Sequence, residues 1–363
     1  MGRYVVKLGS NIVADDGGAL RRDVLESVCG RLAARHREGD DFVIVSSGAI
    51  ARGVEAMGLP ARPEAMADLQ AASAVGQGRL YRVWDELLGS EGLASAQVLL
   101  TLFDIGHRAQ YLNARQTLGR LLDWRVVPVV NENDTTATEE ISFGDNDFLA
   151  AQVAILCGAD RLVLLTNQDG LHERDPRDDP NAALVGLVED PAELEGYAIG
   201  QAPSGLGSGG MRSKVVAAEM ATAAGIPTAI CNGLTEGALE RALNGEPEGT
   251  RFAARDLDYS SFELWLRYAK PTSGRITVDE GAAKALRSEG ASLLPVGVVS
   301  VDGSFGPGDA VEIVEAGGAV AKGIAAIGAE ELAGLAGMRS ADADARLGRP
   351  AGEAVHRDML VLV

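Results

Sequence analysis

Two lysines and a run of glycines carry the first chemical signal. Lys7 stands inside the apolar run RYVVKLGS (residues 3–10), and Lys214 closes the segment SGLGSGGMRSK (residues 204–214). A cation within an apolar strand is costly unless its charge meets a partner. A glycine-rich loop that opens a helix lets backbone amides approach an anion, and the helix N-terminus adds unpaired N–H groups and a positive dipole end. Together, the two lysines can clamp a transferring phosphoryl group. Taken singly, Lys7 reads equally well as a snorkelling or edge lysine, and the loop as a surface segment.

The loop also spells Gly205-x-Gly207-x-x-Gly210, the dinucleotide fingerprint. That motif should follow a strand directly and be trailed by an acid about 20 residues later. The preceding EGYAIGQAPS does not read as a strand, and the next strand ends in Cys231-Asn232. A Walker A loop fails too, because Lys214 is preceded by Ser213 and followed by Val215. What remains is an anion site of another kind, with Arg212–Lys214 in the first helical turn.

Polar residues cluster in three further places: VSSGA (45–49), VNEND (130–134) and FGDND (143–147). Asn131, Asp134, Asn146 and Asp147 can bind an ammonium group and orient lysines. Ser47 with Gly48 can supply hydroxyl and backbone donors to a carboxylate. GDND ahead of FLAAQVAIL is also a good helix N-terminal signal, so capping stays open as its reading. The four histidines, His36, His107, His172 and His356, are scattered and none sits in a nucleophile motif. Phosphoryl transfer to a carboxylate suits this set, since the acceptor is already anionic and no protein base is needed.

The elements that would position these residues alternate along the chain. Strands are predicted at 3–10, 41–49, 124–134, 160–170 and 226–233, with helices at Asp23–Glu38, Met66–Leu88, Arg108–Leu122, Asp147–Leu156 and Arg212–Ala224. Such alternation predicts an α/β fold: a mainly parallel sheet sandwiched by helices, with ligands at the carboxyl ends of the strands. Lys7, Ser47, Gly48, Asn131–Asp134, Thr166 and Asn167 fall at those ends. After about residue 240 the alternation fades, and from about 272 short strands and Gly/Pro turns read as a small β-rich domain. The predicted organisation is a catalytic domain over 1–250, a linker over 251–270 and a β-rich domain with a C-terminal tail over 271–363.

Composition narrows the partners. The formal net charge is −19, so the surface as a whole repels nucleic acid and anionic membranes. From Lys270 onward nine Lys/Arg face thirteen Asp/Glu, and no basic footprint for RNA is visible. The three cysteines, Cys29, Cys157 and Cys231, are far apart and form no C-x-x-C, so reduced, mostly buried thiols are expected. MGRYVVKLGS has no apolar signal region, and no apolar run approaches a bilayer span; a cytoplasmic protein without a membrane partner is the expectation.

VVKLGS, VSSGAIARG, LNARQTL, VVNEND, FGDNDFLAA, LLTNQDGL, DPR and SGLGSGGMRSK, in that order, resemble the glutamate 5-kinases of the amino acid kinase family. GRITVDEGAAKAL, SLLPVGVVSVDGSFGPGDAV and the terminal HRDML resemble the PUA domain that bacterial members carry. The resemblance implies ATP- and Mg²⁺-dependent phosphorylation of the γ-carboxylate of L-glutamate, the first step of proline synthesis. It further implies that Lys7 and Lys214 stabilise the transferring phosphoryl group and that Asp147 organises them. Ser47, Gly48, Asn131, Asp134 and Asn146 would face glutamate. Lys7, Thr166, Asn167 and the loop Ser208, Gly209, Gly210, Met211, Arg212, Ser213 and Lys214 would face the nucleotide. No protein-held metal is implied. Feedback by proline, a homo-oligomer (dimer or tetramer) and a glutamyl phosphate reductase partner follow from the same resemblance.

One departure stands out: Thr166 is followed by Asn167 where the family usually has Asp. Kinases of aspartate or N-acetylglutamate are the nearest alternatives, and RNA binding through the PUA-like domain is the alternative of another class. An acetylated substrate has no ammonium and would not call for Asp134, which favours a free amino acid.

Overall fold

Val5, Val6 and Leu8 are completely buried around Lys7, so the first strand must run through the middle of a sheet covered on both faces. The computed structural model describes all residues except 16, 102–103, 106–107, 137–145, 191–193, 195–209, 256–258, 265, 268–269 and 271, and the side chains of 108 and 261. The chain divides into two units, Met1–Asp258 and Tyr259–Val363.

In chain order the first unit contains β1 (Arg3–Leu8), α1 (Ser10–Val13), α2 (Arg22–Arg37), β2 (Asp41–Ser46), α3 (Ala49–Met57), α4 (Met66–Ser90), β3 (Ser95–Leu100) and α5 (Arg108–Asp123). There follow β4 (Val127–Glu132), α6 (Asn146–Cys157), β5 (Arg161–Thr166), β6 (Leu187–Val188), α7 (Met211–Ala223), β7 (Thr228–Asn232), α8 (Ala238–Asn244) and β8 (Thr250–Phe252). The sheet order is β3-β4-β2-β1-β5-β7-β8-β6. Neighbours are parallel except β7 and β8. β1 lies between β2 and β5, with Lys7 in register with Val45 and Leu164. Trp84 on α4 is fully buried in the core with Leu25, Leu32 and Phe42, and its indole N–H donates to Ser46 Oγ at 2.9 Å. All three cysteines are buried and unbridged.

Helices α3 and α4 meet backbone to backbone. A Cβ at Gly53 would collide with the Ala72 carbonyl, and one at Gly76 with the Ala49 carbonyl and the Gly53 nitrogen. Side chains normally keep helix axes 8–10 Å apart. Glycine at both crossing positions removes that spacer and fixes α4 against the start of α3.

The second unit contains α9 (Ser261–Leu264), β9 (Gly274–Val278), α10 (Glu280–Glu289), β10 (Val298–Gly303), β11 (Ala310–Glu315), β12 (Gly318–Ala325), α11 (Ala329–Leu335), α12 (Ser340–Leu347) and β13 (Val355–Leu362). Its sheet order is β10-β9-β11-β12-β13, antiparallel except for the parallel β9–β11 pair. Asp279 caps α10, accepting from the Ala282 amide at 2.7 Å, and Gly290 ends it in the left-handed region at φ 59°. Its core gathers Ile276, Leu286, Val311, Ile313, Leu332 and Val355.

Two details differ from the sequence reading. The stretch 251–270, read as a linker, begins inside the sheet: Thr250–Phe252 pair with both β7 and β6. Further on, Leu266 is buried with Ala310 and Val361, with Tyr259 and Phe262 packed against them. Charged and hydroxyl residues interrupt its apolar ones and concealed the anchors Tyr259, Phe262 and Leu266. The strand SAQVLL was also passed over, because β3 pairs on one side only and most of its residues are partly exposed.

Candidate active site

Six parallel strands, β3, β4, β2, β1, β5 and β7, end on one side of the sheet, and the site is built where the chain turns into helix starts. β1 ends in Lys7-Leu8 and leads through Gly9 into α1, with the Gly9 amide donating to the Leu165 carbonyl at 3.2 Å. β2 ends in Ser46, and Gly48, at φ 108°, turns the chain into α3. A Cβ on Gly48 would also lie 3.0 Å from Val13 Cγ1, so both conformation and space call for glycine. β4 delivers Asn131, β5 delivers Thr166, and α6 and α7 open with Asn146-Asp147 and Met211–Lys214.

These ends surround a cleft of about 380 Å³. Of the residues singled out in the sequence, Lys7, Ser47, Gly48, Asn131, Asp134, Asn146, Thr166, Asn167, Gly210, Met211 and Lys214 line it. Asp147 lies beneath, 0% exposed. Ser213 does not line the cleft but donates to Asp147 Oδ2 at 2.8 Å and to the Gly210 carbonyl at 2.9 Å. Arg212 is exposed and is not among the lining residues. Ser208 and Gly209, with the rest of the loop before Gly210, lie outside the described residues.

Two charge arrangements are found at this cleft. In the first, Asp147 holds both lysines: Lys7 Nζ lies 2.5 Å from Oδ1 and Lys214 Nζ 3.1 Å from Oδ2. Burial by itself would raise the carboxyl pKa. The Lys7 and Lys214 charges, with hydrogen bonds from Lys7 and Ser213, outweigh it and hold the group at about 2. One carboxylate therefore sits between two buried ammoniums, a local excess of positive charge in an acidic protein.

In the second, Asp134 is 7% exposed and accepts from Ser73 Oγ at 2.6 Å. Burial pushes its pKa up, opposed only in part by the Ser73 hydrogen bond and the Arg62 guanidinium. Beside it Asn146 Nδ2 donates to Asn131 Oδ1 at 2.9 Å, Ser47 Oγ at 3.1 Å and the Ser46 carbonyl at 3.3 Å. Asn146 Oδ1 is buried and has no hydrogen-bond partner among the described residues. A buried orphan acceptor next to a destabilised carboxylate is an arrangement that a cation completes.

The sequence reading missed Arg62, Ser73, Gln77 and Gln168. Arg62 and Gln168 line the cleft, while Ser73 and Gln77 stand behind it on α4, bonded to Asp134 and Asn131. Only the i,i+4 spacing of Ser73 and Gln77 could have placed them on one helix face. Arg62, in the turn-rich LPARPEAM, offered no pattern.

Residues 2–232 match the Amino acid kinase family and residues 274–347 the PUA domain. The chain belongs to the amino acid kinase family. Among curated relatives, the glutamate 5-kinase of Meiothermus ruber is 44% identical over 99% of this chain and 95% of its own. The glutamate 5-kinases of Myxococcus xanthus and Thermus thermophilus are 45% and 44% identical, again over 99% of this chain and over 96% and 97% of theirs. Among solved structures, the UMP kinase of Bacillus anthracis has the same amino acid kinase fold at a TM-score of 0.50 and 18% identity, covering 70% of this chain and 96% of that one.

Proposed function

We propose that this chain transfers the γ-phosphoryl group of ATP to the γ-carboxylate of L-glutamate, giving L-glutamyl 5-phosphate and ADP, the first step of proline synthesis. The observation that carries the reading is that one cleft is lined by both a cationic and an acceptor set. Lys7 and Lys214, bridged by Asp147, offer positive charge to phosphate, while Asp134 and Asn146 offer acceptors to an ammonium. Near-full-length relatives that carry the name glutamate 5-kinase support it.

In this reading a γ-carboxylate oxygen of glutamate attacks the γ-phosphorus. The new O–P bond forms as the bond to the β,γ-bridging oxygen breaks, and that electron pair leaves with ADP. No proton moves in the step, which fits a cleft lined by no histidine among the described residues. Lys7 and Lys214 take up charge spread over the transferring oxygens, and Asp147 holds the two ammoniums together against their repulsion. Ser47 and the Gly48 turn orient the acceptor. Asp134 and Asn146 bind the α-ammonium and Asn131 holds Asn146. Thr166, Asn167, Gly210, Met211 and Lys214 face the nucleotide.

Among the described residues no group of three His, Cys, Asp or Glu is arranged to hold a metal. Mg²⁺ entering with ATP would be held chiefly by phosphate oxygens, and when bound supplies further neutralisation of their charge. Asp147, occupied by both lysines, fits the role of organiser and not of metal ligand.

An N-acetylated acid lacks the ammonium that Asp134 and Asn146 await, which favours the free amino acid. Feedback by proline, a homo-oligomer and hand-over of the labile acyl phosphate to a reductase rest on the family resemblance. So does the assignment of chemistry to residues 1–250 and of a PUA-like domain to 271–363. Among the described residues no helix is long and apolar enough to cross a membrane, in keeping with a proposed cytoplasmic location. Trapping the acyl phosphate with hydroxylamine tests the reading, with L-glutamate, L-aspartate and N-acetylglutamate compared under Mg-ATP. Hydroxamate from L-glutamate alone is expected. Hydroxamate from either other acid in preference would move the substrate and overturn the assignment.

A further inference from the structure

An amide side chain can present oxygen or nitrogen in nearly the same volume, so its polarity is set by its neighbours. At the cleft that polarity decides whether Asn146 offers a substrate cation an acceptor or a repelling donor. The Ser46 carbonyl can only accept, and Asn146 Nδ2 lies 3.3 Å from it. This turns the amide nitrogen of Asn146 inward, toward Ser46, Ser47 and Asn131, and leaves Oδ1 as a buried acceptor unpaired among the described residues.

The arrangement holds only if Asn131 presents its oxygen to Asn146, which it does at 2.9 Å. Asn131 Nδ2 then needs an acceptor of its own in a site where Asn131 is 3% exposed. Gln77 supplies it: Asn131 Nδ2 donates to Gln77 Oε1 at 2.5 Å. Gln77 therefore terminates a one-directional relay of donors that runs from Asn146 through Asn131. One turn earlier on the same helix, Ser73 donates to Asp134 at 2.6 Å. A single face of α4, pinned to α3 by Gly53 and Gly76, thus sets both acceptors of the cation-binding end.

We propose that Gln77 is a positioning residue for recognition of the substrate's α-ammonium, acting through the polarity of Asn131 and Asn146. The inference rests on the reading above that the ammonium sits between Asp134 and Asn146. Without an acceptor at 77, Asn131 either leaves a buried N–H unpaired or turns over. Turned over, it presents N–H to Asn146 and displaces the oxygen that meets the ammonium. Gln77 touches neither nucleotide nor transferring phosphoryl group, so the loss falls on substrate binding.

The test compares kcat and KM for L-glutamate and for glutarate, which keeps both carboxylates and lacks the ammonium, in the wild type, Gln77→Leu and Gln77→Glu. The wild type is expected to prefer glutamate. Gln77→Leu is expected to raise KM for glutamate about 10-fold, the scale of one lost hydrogen bond in a buried relay, with kcat nearly unchanged and glutarate kinetics unaltered. Gln77→Glu, which keeps an acceptor oxygen, should retain most of the preference. If the wild type does not distinguish glutamate from glutarate, the ammonium site itself is wrong. If it does, but Gln77→Leu keeps the preference or weakens both substrates alike, Gln77 has no positioning role. Should Gln77→Leu fail to fold, Gln77→Met, of nearly the same length, makes the same comparison.

Discussion

The Asp147 carboxylate meets the Lys7 ammonium at 2.5 Å, with the two side chains 0% and 3% exposed. The second oxygen of that carboxylate is committed to Lys214 at 3.1 Å. Three charged groups thus share one desolvated volume with a net excess of one positive charge. This is costly in an empty protein and useful to one that receives phosphate, because interactions in a desolvated site are strong and already oriented.

Replacing Asp147 with Asn removes the carboxylate that two buried ammoniums share. Breaking a buried ion pair costs about 3–5 kcal/mol, so urea unfolding of Asp147→Asn should show a loss of that order. Saturating Mg-ATP should restore part of it, because the phosphates supply the missing negative charge. An unchanged midpoint, or one indifferent to nucleotide, would show that the lysines do not depend on Asp147.

Asp134 gives the site a pH dependence with a definite sign. Its folded pKa lies above the ordinary 3.8 because burial disfavours the charged form. As pH falls through that raised value Asp134 is neutralised and the ammonium loses its counter-charge. KM for glutamate should therefore rise toward acid, beginning above the range where a free aspartate titrates, with kcat less affected. The fold does not suffer from the same proton: a carboxyl with a raised folded pKa binds it more tightly folded than unfolded, and its ionised form is the one that costs stability. Asp134→Asn should show a high KM that no longer varies over this range. A wild-type KM that stays flat as pH falls through the range where a free aspartate titrates would count against the assignment.

The glycine crossing offers a test remote from the chemistry. A methyl group at Gly76 must push α4 away from the Ala49 carbonyl, taking Ser73 and Gln77 with it. Gly76→Ala should destabilise the protein by about 1–3 kcal/mol, as overpacking does, despite alanine's better helix propensity. KM for glutamate should rise more than KM for ATP. Stability equal to the wild type would mean that the crossing yields easily and does not hold the site.

What was legible in the sequence were residues whose local context already made them conspicuous. Lys7 stood out because a charge in RYVVKL has to be answered, and the structure answers it with Asp147. Ser47, Asn131 and Thr166 stood out because they follow continuous apolar runs, where parallel strands deliver their ends to a common edge. The helices at Asp23–Glu38 and Met66–Leu88 were placed to within two residues of α2 and α4. Ser73 and Gln77 were not legible, since a serine and a glutamine on a long helix look like solvated surface until the fold shows what lies opposite. Gly53 and Gly76 were hidden for the same reason, because a close helix crossing is a tertiary fact. In the stretch after Phe252, charged and hydroxyl residues interrupt the apolar anchors Tyr259, Phe262 and Leu266, so a linker was read where these side chains pack in the second unit.

The central claim is that the lysines joined by Asp147 carry the phosphoryl transfer while the acceptor set of the same cleft holds glutamate. Steady-state kinetics of Lys214→Ala, followed by ADP release with L-glutamate and Mg-ATP, address it directly. Loss of one preorganised charge at the transferring group should lower kcat by about 10²–10³-fold. KM for L-glutamate should stay within about threefold, because an interaction made in the transition state has been removed and ground-state binding of glutamate has not. A folded Lys214→Ala enzyme with near wild-type kcat, or one whose only defect is glutamate binding, would contradict the account.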